Sequence, residues 1–279
     1  MQIPLTYPFA AASSGMAPWR RMQWLAWTAL PLAVLLLGLW LLAQPLSAQH
    51  GLFLWLNRQA AVLPTALWSC ATMLGDTTVL FALMTPLLLW RPQALMASLA
   101  AVPLGGLFSV IAKRGFDTPR PAAVLDLDQF QVIGPLLMGH SFPSGHSITA
   151  FAAAAAVLAT STPSIRSRRC GALLIAVLAL AATVSLSRVA VGAHWPLDLV
   201  FGAGGGWLAG LSGALLTRRF PAWWRSARSQ GLLAVGLAAA TVWLLWRPLD
   251  HPQAAPVLWL AAASSWGALL ALSWRRLRA

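Results

Sequence analysis

Eight apolar stretches recur along this chain, each close to the 20 or so residues an α-helix needs to cross the hydrocarbon core of a bilayer. They run from Trp24 to Ala43, Ala71 to Trp90, Ala94 to Ala112, Ser144 to Ser161, Gly171 to Ser187, Leu197 to Thr217, Gln230 to Trp246 and Pro256 to Trp274. The fifth and seventh are short and draw on their flanks. Little else can be built from such material, so the expected fold is all-α: a polytopic transmembrane helical bundle of about eight spans. Composition agrees, with 59% hydrophobic and 9% charged residues among 279, where a soluble domain carries roughly 25% charged. A soluble globular protein, a disordered tail and a disulfide scaffold are excluded.

Charge placement predicts the orientation. Lys and Arg collect in cytoplasmic loops. Arg20 and Arg21 precede the first span, so the N-terminus is expected inside. Alternation then places thirteen of the nineteen bases inside, among them Arg91, Arg166, Arg168, Arg169, Arg218, Arg219, Arg225 and Arg228. All six Asp and all five His fall on the outer side or at its edge. The net charge of +13 is therefore read as a topology signal and not as a nucleic-acid surface. The first span is expected to remain as an anchor, since it is long for the apolar core of a cleaved signal. Both termini are expected to be cytoplasmic.

Smaller features carry their own expectations. Trp24, Trp90, Trp195, Trp246 and Trp274 sit at span ends, where indole bridges apolar and wet layers. Gly202, Gly206 and Gly210 form a flat face on the sixth span, suited to close helix packing within the chain. Residues Leu46 to Cys70 read as an outer segment with a surface-lying amphipathic helix. Cys70 and Cys170 fall on opposite sides of the membrane and are not expected to pair. Asp76 lies inside the outer end of the second span. An intramembrane acid is costly unless paired, so an outer Arg is its expected partner.

Polar residues gather in three outer places: Lys113 to Pro121, Pro143 to His146, and Ser187 to Asp198. Gly115 and Pro119 suggest a turn over Lys113–Arg120 that offers cations, and Arg188 adds another. Guanidinium forks match phosphate oxygens. Ser144 and Gly145 open a helix, where N–H groups and a hydroxyl favour an anion. His194 and Asp198 are four apart, so the carboxylate can fix the imidazole tautomer and leave the other nitrogen to attack. His146 is then suited to protonate a leaving oxygen. Cations, an oriented His and a second His suffice for phosphoryl transfer through a phosphohistidine, and no metal or cofactor is expected.

These three motifs resemble the signature of the type-2 phosphatidic acid phosphatase family, the lipid phosphate phosphatases. That signature is Lys-x6-Arg-Pro, Pro-Ser-Gly-His, and Ser-Arg-x5-His-x3-Asp. Here it reads Lys113…Arg120-Pro121, Pro143-Ser144-Gly145-His146, and Ser187-Arg188…His194…Asp198. The resemblance implies His194 as nucleophile, Asp198 as its partner and His146 as general acid. It implies Lys113, Arg120, Ser144, Gly145 and Arg188 as phosphate ligands. It further implies a six-span core over residues 24–217, after a cytoplasmic tail at 1–23. Residues 218–279 then add a cytoplasmic loop and two spans beyond the family core, and Arg247, Asp250 and His251 in their outer loop can border the site.

The expected function is an integral membrane phosphatase that removes a terminal phosphate from a lipid phosphate or diphosphate at the outer face of a bacterial inner membrane. Undecaprenyl diphosphate, phosphatidylglycerol phosphate, phosphatidic acid and lipid A phosphate are the candidate substrates implied by the family. A lipid phosphotransferase using the same phosphohistidine is the alternative. A transporter of phosphorylated lipid is more distant, since binding alone has no need of His194 paired to Asp198 beside a second His.

Overall fold

The computed structural model describes residues 18–161 and 168–278. The N-terminal tail to Ala17, Arg166, and the side chains of Arg20, Arg21, Arg168, Arg169 and Cys170 lie outside the described residues. Every regular element described is helical: α1 Pro18–Leu42, α2 His50–Ala60, α3 Thr65–Met73, α4 Thr77–Met84, α5 Leu87–Trp90, α6 Pro92–Phe116, α7 Gly145–Ser161, α8 Arg168–Ala190, α9 Pro196–Arg219, α10 Ala222–Arg225, α11 Ala227–Trp246 and α12 Ala255–Leu277. Five of these are long and apolar enough to cross a membrane by length and composition, α3 and α4 together form a sixth, bent segment, and α1 and α7 contain shorter apolar helices. They cover the stretches that hydropathy marks out.

The bundle core is built from small residues. Ala152 to Ala156 of α7 are buried, and α9 buries Gly202, Gly204, Gly205, Gly206, Gly210 and Gly213 against its neighbours. A Cβ on Gly206 would run into the Ile148 carbonyl and one on Gly210 into the Ala152 carbonyl. The glycine face thus lets α9 lie backbone to backbone on α7, the within-chain packing the spacing suggests. Large side chains instead point outward, as Leu36, Ile175, Leu232 and Leu270 do. That inverted distribution suits a lipid surround, where aliphatic groups lose nothing by facing out.

The second apolar stretch departs from a plain span. It starts earlier, at Thr65, and bends by 74° between α3 and α4. Asp76 causes the restart: Oδ1 accepts from the N–H groups of Thr78 (2.9 Å) and Val79 (3.0 Å), which caps α4. Its Oδ2 pairs with Arg247 Nη1 at 2.8 Å, so the expected partner of this acid is Arg247. The last two helices pack on the bent pair through Met73, Val79, Ala82, Leu244, Leu258 and Ala261.

Two further expectations need correction. Gly115 does not break a helix. α6 continues to Phe116 and ends on Asp117 in the left-handed region (φ 33°), so Lys113 sits in its last turn and the bend begins four residues later. Trp195 is not an interfacial anchor. It is fully buried, stacked on His50 (5.1 Å), with its Nε1–H donated to the Pro119 carbonyl at 2.7 Å. Trp90, Trp246 and Trp274 do remain largely exposed.

Candidate active site

The polar residues of the three motifs meet at one end of the bundle. Local chemistry sets each in place. α8 ends at Ala190 and the chain doubles back through Gly192, whose φ of 77° lies in the region only glycine enters readily. The Arg188 carbonyl accepts from the N–H groups of both Ala193 (2.9 Å) and His194 (3.2 Å). This turn is the physical content of the five-residue spacing between Arg188 and His194. α9 then starts at Pro196, where a missing N–H costs nothing.

Asp198 serves two roles in the first turn of α9. Its Oδ2 accepts from the Trp195 N–H at 2.9 Å, capping the helix, and lies 3.0 Å from His194 Nδ1. Ser141 donates its hydroxyl to the same oxygen. Both His194 and Asp198 are buried, 2% and 1% exposed. On the other side of the ring, Arg120 Nη1 lies 3.2 Å from His194 Nε2. A guanidinium has donors only, so Nε2 must present its lone pair there and the proton must sit on Nδ1, facing Asp198. Among the described residues the tautomer is thereby fixed. His194 is held well below the usual imidazole range, first by burial and then by the charges of Arg120, Arg188 and Lys113.

The cations converge from separate elements. Arg120 is braced by the carbonyls of Gly139 (Nε, 2.8 Å) and Ala193 (Nη1, 2.8 Å), and Lys113 Nζ donates to the His140 carbonyl at 2.6 Å. Arg188 is 5% exposed and donates to Thr72 Oγ1 on α3. Gly145 and His146 open α7, so their N–H groups have no intrahelical acceptor. Ser144 differs from the expectation of an N–H and a hydroxyl directed at an anion: its N–H goes to the Asp198 carbonyl at 3.0 Å, and its Oγ faces the Ser147 N–H. The residue is fully buried and ties α7 to α9. His146 packs beneath the bend between α3 and α4, where a Cβ on Gly75 would collide with its ring.

Lys113, Arg120, Gly145, His146, Arg188 and His194 line one cavity of about 270 Å³, together with Asp76, Arg247, Asp250 and His251. Residues of the α11–α12 loop therefore do border the site. Sequence reasoning missed Ser141, whose only signal is its place two residues before Pro143. It also missed Asn57 of α2. Asn57 is 1% exposed, donates from Nδ2 to the carbonyls of Gln131 (3.0 Å) and Val189 (2.9 Å), and accepts from the Gln131 N–H at 2.8 Å. In the sequence it falls within the stretch that reads as a surface-lying amphipathic helix.

A carboxylate-oriented imidazole with its free nitrogen among cations, beside a second imidazole, is equipped to form and break a bond to phosphorus. Comparison with known proteins points the same way. Residues 94–225 match the PAP2 superfamily. The chain is 36% identical over 124 residues to lipid A 1-phosphatases of Rhizobium etli and Rhizobium johnstonii, a match that covers 42% of this chain and 48% and 46% of theirs. It thus spans about half the length of the curated relatives it matches. The crystal structure of Aquifex aeolicus LpxE aligns with a TM-score of 0.50 at 25% identity, covering 62% of this chain and 95% of that one. The whole signature, from Lys113 to Asp198, lies inside residues 94–225, the stretch of the chain that matches the PAP2 superfamily.

Proposed function

We propose that this protein is an integral membrane phosphatase that hydrolyses the terminal phosphate of a lipid phosphate or diphosphate. The single observation that carries this reading is the His194 ring, held by Asp198 at Nδ1 and met by Arg120 at Nε2. The matched lipid A 1-phosphatases support a phosphorylated lipid as the substrate class.

In the proposed reaction the phosphoryl group docks among Lys113, Arg120, Arg188 and the first N–H groups of α7. Its oxygens take over the guanidinium of Arg120 from Nε2. The Nε2 lone pair forms the N–P bond while the P–O bond to the lipid breaks, and His146 gives its proton to the leaving oxygen. Asp198 stabilises the ring as positive charge develops. Water then attacks phosphorus, His146 takes its proton, and the N–P bond breaks to release phosphate. Ser144 acts by positioning α7 against α9 and Gly145 by its N–H.

The same reading places both termini on the cytoplasmic side of a bacterial inner membrane and the site at the opposite face. Its support is the one-sided distribution of Arg. Residues 24–217 carry the catalytic core, and 218–279 add a helical pair that walls the cavity.

Rapid quench with a lipid labelled in its terminal phosphate tests the intermediate. Acid-labile, alkali-stable label on the peptide containing His194 is expected in the wild type and absent in His194→Ala. Phosphate release with no label at any quench time would contradict it.

A further inference from the structure

The mechanism leaves one buried histidine unused. His251 lies in the connection between α11 and α12, is 7% exposed, and lines the same cavity as His194 and His146. Its Nδ1 is buried with no partner among the described residues, and Gly134 closes over that edge of the ring: a Cβ there would stand 2.7 Å from Nδ1. A neutral imidazole carries one proton, and with Nδ1 walled off from any acceptor the proton belongs on Nε2, the nitrogen left to the cavity.

The loop that carries this ring is pinned from both sides. Arg247 pairs with Asp76 at the bend, and Gln253 Oε1 accepts from Thr65 Oγ1 at 3.0 Å. Burial holds His251 below the ordinary imidazole range, with Arg188 adding to the effect and Asp250 opposing it. Arg247 of this loop pairs with Asp76, the neighbour of Gly75, and Gly75 packs directly on the His146 side chain. His251 therefore stands on the His146 side of the cavity, where the leaving oxygen must be.

We propose that His251 is a substrate-binding residue that reads the leaving group, its Nε2–H donating to an acceptor oxygen attached next to the scissile phosphate. This rests on the phosphatase reading. That oxygen belongs either to a headgroup hydroxyl or ester, or to the second phosphate of a diphosphate. The α11–α12 pair thus completes the site of this chain from outside the matched region at residues 94–225.

The test uses the full chain in detergent, with His251→Ala, His251→Gln and wild type assayed on a lipid monophosphate and on a polyprenyl diphosphate. Inorganic phosphate serves as the competing inhibitor. His251→Ala is expected to raise KM about tenfold on at least one substrate with kcat within about twofold, the pattern of a lost binding contact. The substrate affected identifies which oxygen is read. His251→Gln, which keeps an N–H near the same place, is expected to recover most of the loss. The inhibition constant of inorganic phosphate, which has no leaving group, is expected to stay within about twofold. Unchanged KM on both substrates would overturn the proposal, as would a phosphate inhibition constant that rises with KM. Failure of both variants to fold would assign His251 to packing and overturn it as well. Wild type that releases no phosphate from any lipid would instead sink the phosphatase reading.

Discussion

Arg120 and His194 are in hydrogen-bond contact, Nη1 to Nε2 at 3.2 Å, so the proposed nucleophile and one proposed phosphate ligand are partners before any substrate arrives. The cation does two things. It forces the lone pair of His194 to the side where phosphorus must approach, and its charge discourages protonation of that nitrogen.

The sign of the pH dependence follows. His194 sits well below the usual imidazole range through burial and the charges of Arg120, Arg188, Lys113 and His146. It stays neutral, and so nucleophilic, as pH falls through the ordinary His range near 6.5. The acid limb of kcat/KM, which reports the free enzyme, is expected below about pH 6.5. Arg120→Gln removes a depressing charge and is expected to move that limb upward while lowering kcat/KM. A pH–rate profile of both proteins checks this. A wild-type acid limb above 6.5, or one that Arg120→Gln moves down, would contradict the assignment.

Asp198→Asn keeps the shape of the side chain and can still accept from the Trp195 N–H, but it no longer holds the Nδ1 proton as a charge. Loss of roughly 10³-fold in kcat is expected, with melting temperature changed by only a few degrees. A loss of stability without loss of kcat in the folded fraction would reduce Asp198 to a helix cap.

The Asp76–Arg247 pair links the bend of the second span to the loop of the last two helices. A double-mutant cycle of Asp76→Asn and Arg247→Gln is expected to give a coupling of about 1 kcal/mol, since both side chains are only about a quarter exposed. Additive effects would show that the ion pair does not tie these elements.

Glycine substitutions separate packing from backbone freedom. Gly206→Ala and Gly210→Ala push a methyl into the carbonyls of Ile148 and Ala152 and are each expected to cost about 1–3 kcal/mol. Gly236→Ala and Gly267→Ala meet nothing within 4 Å in helix interiors and are expected to be neutral or to stabilise by up to about 1 kcal/mol. Thermal melts of the four variants decide it.

The site was legible because charge is rare in this chain. In an 9%-charged sequence, His194, Asp198, Arg188, Lys113 and Arg120 had few competing roles, and fixed spacing tied them together. What stayed hidden depends on tertiary contact. Asn57 looks like any polar residue of an amphipathic helix, yet it satisfies the carbonyls at the end of α8 from 132 positions away. Ser144 keeps its motif position, but whether its N–H faces an anion or the Asp198 carbonyl is settled by how closely α9 approaches α7. Trp195 follows the rule for span ends until Pro119 supplies an acceptor inside. The bend at Asp76 is a capping event within an apolar run, and hydropathy averages over it.

In the proposed mechanism His194 performs the reaction with the charge supplied by Lys113, Arg120 and Arg188. The most direct measurement is phosphate release from a panel of diacyl and polyprenyl mono- and diphosphates by purified protein in EDTA, with His194→Ala beside the wild type. Release by the wild type at full rate in EDTA, reduced by at least about 10³-fold in His194→Ala, is the predicted result. Release that survives in His194→Ala, or that EDTA abolishes and one divalent cation restores, would contradict the account.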